Sequence, residues 1–187
     1  MSETLPKPKK SVALSGVAAG NTALCTVGRI GNDLHYRASG HQGHLRIARI
    51  EGDGDERFLF PNDLASGPDG PLCMTDSGMV ADGLISGQNF VPNVMDLPYD
   101  GRVCQIDPGT GRVLRRIDSG IRFANGIACD AAGHRHANAS FTGDVYGYDM
   151  FGAGTPRRQL FGNVLQPDDR PVFRGPDGMK FGAGTRF

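Results

Sequence analysis

Apolar residues along this chain come in short groups closed by Gly and Asp-Gly turns, and nowhere at helical spacing over a useful length. The groups repeat. One unit runs from a small apolar strand across a turn into a second strand. Its copies are "GVAAGNTALCTV" (16–27), "NDLASGPDGPLCMTDSG" (62–78), "NGIACDAAGHRHANASFTG" (125–143) and "PDGMKFGAGTRF" (176–187). Val17, Leu64, Ile127 and Met179 hold the same place in each copy. A second unit follows the first three, with the frame apolar, two variable residues, apolar, acid. It pairs Ile47 and Ile50 before Glu51, Val103 and Ile106 before Asp107, and Val145 and Tyr148 before Asp149.

Alternating strands with Gly-bearing turns, repeating at steps of about 40 to 60 residues, predict an all-β fold built as a β-propeller. A two-sheet sandwich would use similar strands without requiring this register of copies. The four matched apolar residues are expected in equivalent inner strands. Residues 1–10 read as a disordered tail and 11–187 as the propeller. Residues 80–96, with Gly83, Gly87 and Pro92, interrupt the pattern and read as a loop on one face that shapes a binding site.

Composition narrows the function classes. The chain has 187 residues, with 20 basic and 20 acidic side chains. A balanced charge gives no electrostatic reason to expect nucleic acid or an anionic membrane as partner. The start, "MSETLPKPKKSVAL", has no long apolar run, and no segment reaches the length of a membrane span, so a cytoplasmic protein is expected. Glycine, at 28 residues without a collagen period, supplies turns. Cys25, Cys73, Cys104 and Cys129 form no CxxC pair and read as structural thiols. His134 and His136, in "HRH", read as part of a solvated loop. The sequon Asn138-Ala139-Ser140 carries weight only in a secreted chain.

The candidate chemistry lies at the strand mouths. Asn62 precedes "DLA", Asn125 precedes "GIA" and Asp177 precedes "GMKF". Taken singly, each reads as a turn residue. Three in register at the starts of inner strands would converge at one end of a central channel. Amide and carboxylate oxygens arriving from separate strands suit a hard divalent cation.

The segments "FPNDLASGPDG", "TDSGM", "LPYDGRVCQIDPGTGRV", "FANGIACD", "FTGDVYGYD" and "RGPDGMKFGAG" resemble the SMP-30/gluconolactonase/LRE-like proteins, from about residue 40 to the end. The resemblance implies a six-bladed propeller with one divalent metal, calcium or zinc, in its channel. It also implies hydrolysis of a small-molecule lactone to a hydroxy acid. Position by position, it assigns metal contacts to Asn62, Asn125 and Asp177, and a proton-transfer role to Asp177. Asp63 and Asp76 read as solvent-facing turn or ladder residues at the same mouth.

The chain also departs from the family pattern. Nothing matches the family's N-terminal glutamate ligand: Glu3 lies in the tail and Glu51 belongs to an outer-strand motif. At about 45 residues per blade, 187 residues make roughly four blades rather than six. The expectation is a truncated or degraded copy that self-associates through open sheet edges. Two readings stand: a metal-dependent lactonase, or a non-catalytic propeller-like binding or scaffold protein.

Overall fold

The computed structural model describes strand backbone at residues 16–20, 23–30, 33–38, 45–49, 52–53 and 56–57. It further describes residues 58–67, 70–79, 83–86, 89–107, 110, 112–152, 154–165 and 175–182. The expected tail at 1–10, and Glu3 and Glu51, lie outside these residues.

Three four-stranded antiparallel sheets dominate. The first is a meander of β1 (Gly16–Gly20), β2 (Ala23–Ile30), β3 (Asp33–Ala38) and β4 (Leu45–Arg49). A short hairpin, β5 (Gly52–Asp53) and β6 (Glu56–Arg57), leads to the second sheet. That sheet runs outward as β7 (Pro61–Ser66), β8 (Leu72–Asp76), β11 (Gly101–Ile106) and β12 (Val113–Ile121). The third runs outward as β13 (Ala124–Cys129), β14 (Arg135–Ala139), β15 (Asp144–Tyr148) and β16 (Gln159–Asn163). The first strands lie side by side, with β7 between β1 and β13. This is a partial β-propeller, three complete blades and the inner segment of a fourth at 175–182. Val17, Leu64 and Ile127 fall in the innermost strands β1, β7 and β13. Met179 lies in the segment beside β13, its backbone facing Gly126.

Strand parity explains the stacking. Leu72, Met74, Cys104 and Ile106 pack with Phe58 and Leu64 in one cluster. Cys73 and Val103, one residue out of phase, join Ile117, Ala124, Ile127, Ala137 and Tyr148 in another. Successive side chains of a strand point to opposite faces, so the second blade is covered on both. This is why "LCMT" and "VCQI" are buried without interruption. The thiols of Cys73 and Cys104 are buried, as the sequence suggests. At the rim, Asp118 of β12 accepts hydrogen bonds from the Tyr148 hydroxyl at 2.6 Å and from Arg158 Nε at 2.7 Å, fastening the second blade to the third.

Three expectations change. "HRH" is not a solvated loop: Arg135 and His136 open β14, all five residues of which are buried. The polar strand is tolerated because Arg135 Nε donates to Cys73 Sγ at 3.2 Å, and Asn138 spends its amide on backbone groups. "RIARI" overlaps β4, the outermost strand of its sheet, whereas Val103 and Val145 sit in third strands, so the second repeat is out of register in its first copy. The interruption at 80–96 contains a small hairpin, β9 (Ile85–Ser86) with β10 (Asn89–Phe90), and a 3-10 turn at Val94–Asp96. Among the described residues no helix is long and apolar enough to cross a membrane.

Candidate functional site

Asn62 is the second residue of β7 and Asn125 the second of β13. Each β-hairpin returns to the same end, so the residues just after β8 and β14 stand beside them. Asn62 Nδ2 donates to Ser77 Oγ at 2.8 Å, and Asn125 Nδ2 to Ser140 Oγ at 2.9 Å; each serine is fifteen residues on. Each serine then crosses to the neighbouring blade. Ser77 Oγ donates to Ala124 O at 2.9 Å, and Ser140 Oγ to Pro176 O at 2.6 Å. Ala124 immediately precedes Asn125, and Pro176 immediately precedes Asp177. The hydrogen bonds therefore place Asn62 of β7, Asn125 of β13 and Asp177 of the segment beside β13 at one level. Asn62 and Asn125 hold the same place in β7 and β13.

A second layer of bonds lies just beneath. Asp63 N donates to Thr75 Oγ1 at 3.0 Å, and Thr75 Oγ1 donates to Asn125 O. In the next blade Gly126 N donates to Asn138 Oδ1 at 3.1 Å, and Asn138 Nδ2 donates to Asp177 O at 2.7 Å. Thr75 and Asn138 thus do the same work. Both residues of the sequon, Asn138 and Ser140, are buried in this network. Asp63 is buried too, and its Oδ2 accepts from Ile127 N at 3.0 Å. Burial pushes the Asp63 carboxyl above its ordinary range; the hydrogen bonds from Ile127 and Leu64 oppose this, and the nearby Asp177 charge adds to it. Asp76 is buried rather than solvent-facing as expected, and its carboxylate accepts from the Leu59, Phe60 and Gly78 backbone amides at 2.9, 2.7 and 3.1 Å.

An aromatic collar underlies the mouth. Phe60 and Phe123 each precede a site asparagine by two residues, and their rings meet edge-on at 6.2 Å. Phe123 holds a positive φ of 60°, unusual for a large residue, and its ring packs on Phe141 and Tyr99 at 4.9 and 5.9 Å. Leu84, Val94 and Leu97 of the inserted segment cover these rings, and the Tyr99 hydroxyl donates to Val94 O at 2.6 Å. The insertion packs at the site's end of the blade.

The donor set has a specific imbalance. Asn125 is 8% exposed, and its Oδ1 is buried with no hydrogen-bond partner among the described residues. Leaving a carbonyl oxygen so placed costs about 1–3 kcal/mol. Asp177 is exposed. An orphan amide oxygen level with a carboxylate fits a hard cation's ligand chemistry. Among the described residues no group of three His, Cys, Asp or Glu side chains could hold a metal. Sequence reasoning missed Ser77, Ser140, Thr75 and Asn138. The signal was present as Thr75-Asp76-Ser77 and Asn138-Ala139-Ser140, each ending fifteen residues after a site asparagine. The other polar cluster lies at the far end of the β13–β14 hairpin. There the Asp130 carboxylate stands 2.8 Å from His134 Nδ1 and 3.5 Å from His136 Nε2.

Solved structures share this architecture. A structural-genomics protein provisionally named a gluconolactonase superposes with a TM-score of 0.56 at 17% identity, over 83% of this chain and 49% of its own. A gluconolactonase from Xanthomonas campestris superposes at 0.54 and 18% identity, over 84% of this chain and 48% of its own. The fold is that of the gluconolactonase structures. A protein of unknown function from Bacteroides thetaiotaomicron also matches, at 0.50 and 16% identity, over 84% of this chain and 39% of its own. The chain spans about half the length or less of the structures it matches. No family model matches the chain.

Proposed function

We propose that this chain carries the site of a metal-dependent lactonase, which opens a cyclic ester to a hydroxy acid. The observation that carries the reading is the buried Asn125 Oδ1, without a hydrogen-bond partner among the described residues and held level with Asn62 and the exposed Asp177. In this reading Asn62 and Asn125 present amide oxygens, and Asp177 a carboxylate, to one calcium or zinc ion. Such an ion, when bound, supplies polarisation of the lactone carbonyl and charge to offset a developing oxyanion. Asp177 takes a proton from the attacking water. As the ring C–O bond breaks, it returns a proton to the ring oxygen, and a hydroxy acid leaves. The gluconolactonase name of the structural neighbours supports a sugar lactone as the first substrate to try.

The second reading, a non-catalytic binding module, is favoured by the charge count: only Asp177 among the three proposed ligands is ionised. An assay of gluconolactone opening, corrected for spontaneous hydrolysis, separates the two. The lactonase reading expects turnover that calcium or zinc restores after chelation. It also expects a loss of about a hundredfold or more in Asp177→Asn. Full turnover in Asp177→Asn would remove the proton-transfer role. No enzymatic opening with either metal would favour the binding module.

A further inference from the structure

Ser77 and Ser140 lie wholly within the protein, 0% and 2% exposed, and each sits between an asparagine amide and a carbonyl of the next blade. A backbone carbonyl can only accept. A serine hydroxyl carries one hydrogen, and here that hydrogen goes to Ala124 O or Pro176 O. The serine oxygen can therefore only accept from the asparagine. The asparagine atom facing it must be the amide nitrogen, which removes the usual ambiguity between the two ends of an amide. Both asparagines consequently turn their carbonyl oxygens away from the serines. At Asn125 that oxygen is buried and has no hydrogen-bond partner among the described residues.

We propose that Ser77 and Ser140 are positioning residues that lock the Asn62 and Asn125 amides with their oxygens facing the mouth, making it a face that accepts positive charge and excludes anions. The lock is built from the neighbouring blade's backbone, so the orientation of each asparagine depends on the next inner strand being docked. Removing the Ser140 hydroxyl frees the amide to turn and also releases Pro176 O. The consequence for a cation rests on the metal site proposed above.

The experiment has two arms on the full chain. Hydrogen exchange of the side-chain amide protons, followed by NMR, reads the lock without any ion. The expectation is slow exchange for Asn62 and Asn125 in the native protein. Ser140→Ala should accelerate Asn125 about tenfold and leave Asn62 unchanged, Ser77→Ala should do the reverse, and Ser140→Thr should restore protection. A general loosening of the fold would move both asparagines together. If Ser140→Ala does not fold, the native protein and Ser140→Thr still give the reading. Exposed-like exchange of Asn125 in the native protein, or exchange unchanged by Ser140→Ala, would overturn the proposal. The second arm titrates calcium chloride. Affinity should fall about tenfold in Ser140→Ala and hold in Ser140→Thr. Equal affinity in Ser140→Ala and the native protein would overturn the positioning role. Locked amides in a native protein that binds no calcium would support the orientation and remove the metal reading.

Discussion

The second and third blades carry the same mouth with one difference in its middle. Asn62 matches Asn125, Ser77 matches Ser140, and Thr75 matches Asn138 in both its bonds. The residue after the asparagine does not match: it is Asp63 in one blade and Gly126 in the other. Asp63 reaches across to the next inner strand and accepts from Ile127 N. At Gly126 no side chain fits, because a Cβ there would stand 2.3 Å from Asp177 O and 2.8 Å from Met179 N. Between the second and third blades a buried carboxylate spans the gap; between the third and the next segment, backbone closes on backbone. The candidate proton carrier, Asp177, owes its position to an absent Cβ.

Gly126→Ala should break this arrangement most severely. Asp177 O and Met179 N are backbone atoms and cannot swing aside, so segment 175–182 must move and the bonds from Asn138 and Ser140 weaken. A loss of about 3 kcal/mol is expected in urea unfolding, with turnover falling alongside. Asp63 offers a sharper test, because two substitutions should differ. Asp63→Ala leaves the Ile127 amide buried without its acceptor and should cost about 2 kcal/mol. Asp63→Asn keeps an acceptor for only one of the two amides, Ile127 N and Leu64 N, that the carboxylate oxygens serve, and removes a charge that folding disfavours. The raised folded pKa means that ionised Asp63 costs stability once pH exceeds the unfolded carboxylate value, so Asp63→Asn should lose clearly less stability than Asp63→Ala at neutral pH. Equal losses in the two variants would show that the bond to Ile127 does not hold the blades.

The smallest expected effect is at the far end of the same hairpin. His136 is buried against the rings of Phe161 and Phe181, at 4.8 and 5.0 Å. Burial holds its imidazole below the ordinary histidine pKa, with the Asp130 carboxylate pulling the other way and the neighbouring His134 adding to the depression. A depressed folded value means protonation favours the unfolded chain. Stability should therefore be intact above about pH 6.5 and decline as pH falls below it. His136→Gln should flatten that part of a pH series of urea melts; an unchanged slope would remove His136 as its cause.

Much of this was legible in sequence because repetition supplies its own check. "NDLASGPDGPLCMTDSG" and "NGIACDAAGHRHANASFTG" span the hairpins β7–β8 and β13–β14, and Asn62 and Asn125 are the second residues of β7 and β13. The failures have physical causes. Arg135 and His136 read as a solvated loop because polarity in sequence does not reveal that Cys73 takes the Arg135 guanidinium and that the rings of Phe161 and Phe181 bury His136. "RIARI" has the same apolar frame as the third strands but lies on a fourth, since a frame of two apolar residues fits any half-buried strand. Ser77 and Ser140 escaped notice because their role lies in contacts across blades, which no local pattern records.

The central claim is that Asn62, Asn125 and Asp177 serve one cation. Calorimetric titration of calcium and of zinc into the native chain, Asn62→Ala, Asn125→Ala and Asp177→Asn tests it directly. The account predicts a single ion per chain, with every substitution weakening that same site and Asp177→Asn weakening it most, since it removes the only charge. Failure of the native chain to bind either ion, or binding that survives all three substitutions unchanged, would contradict it.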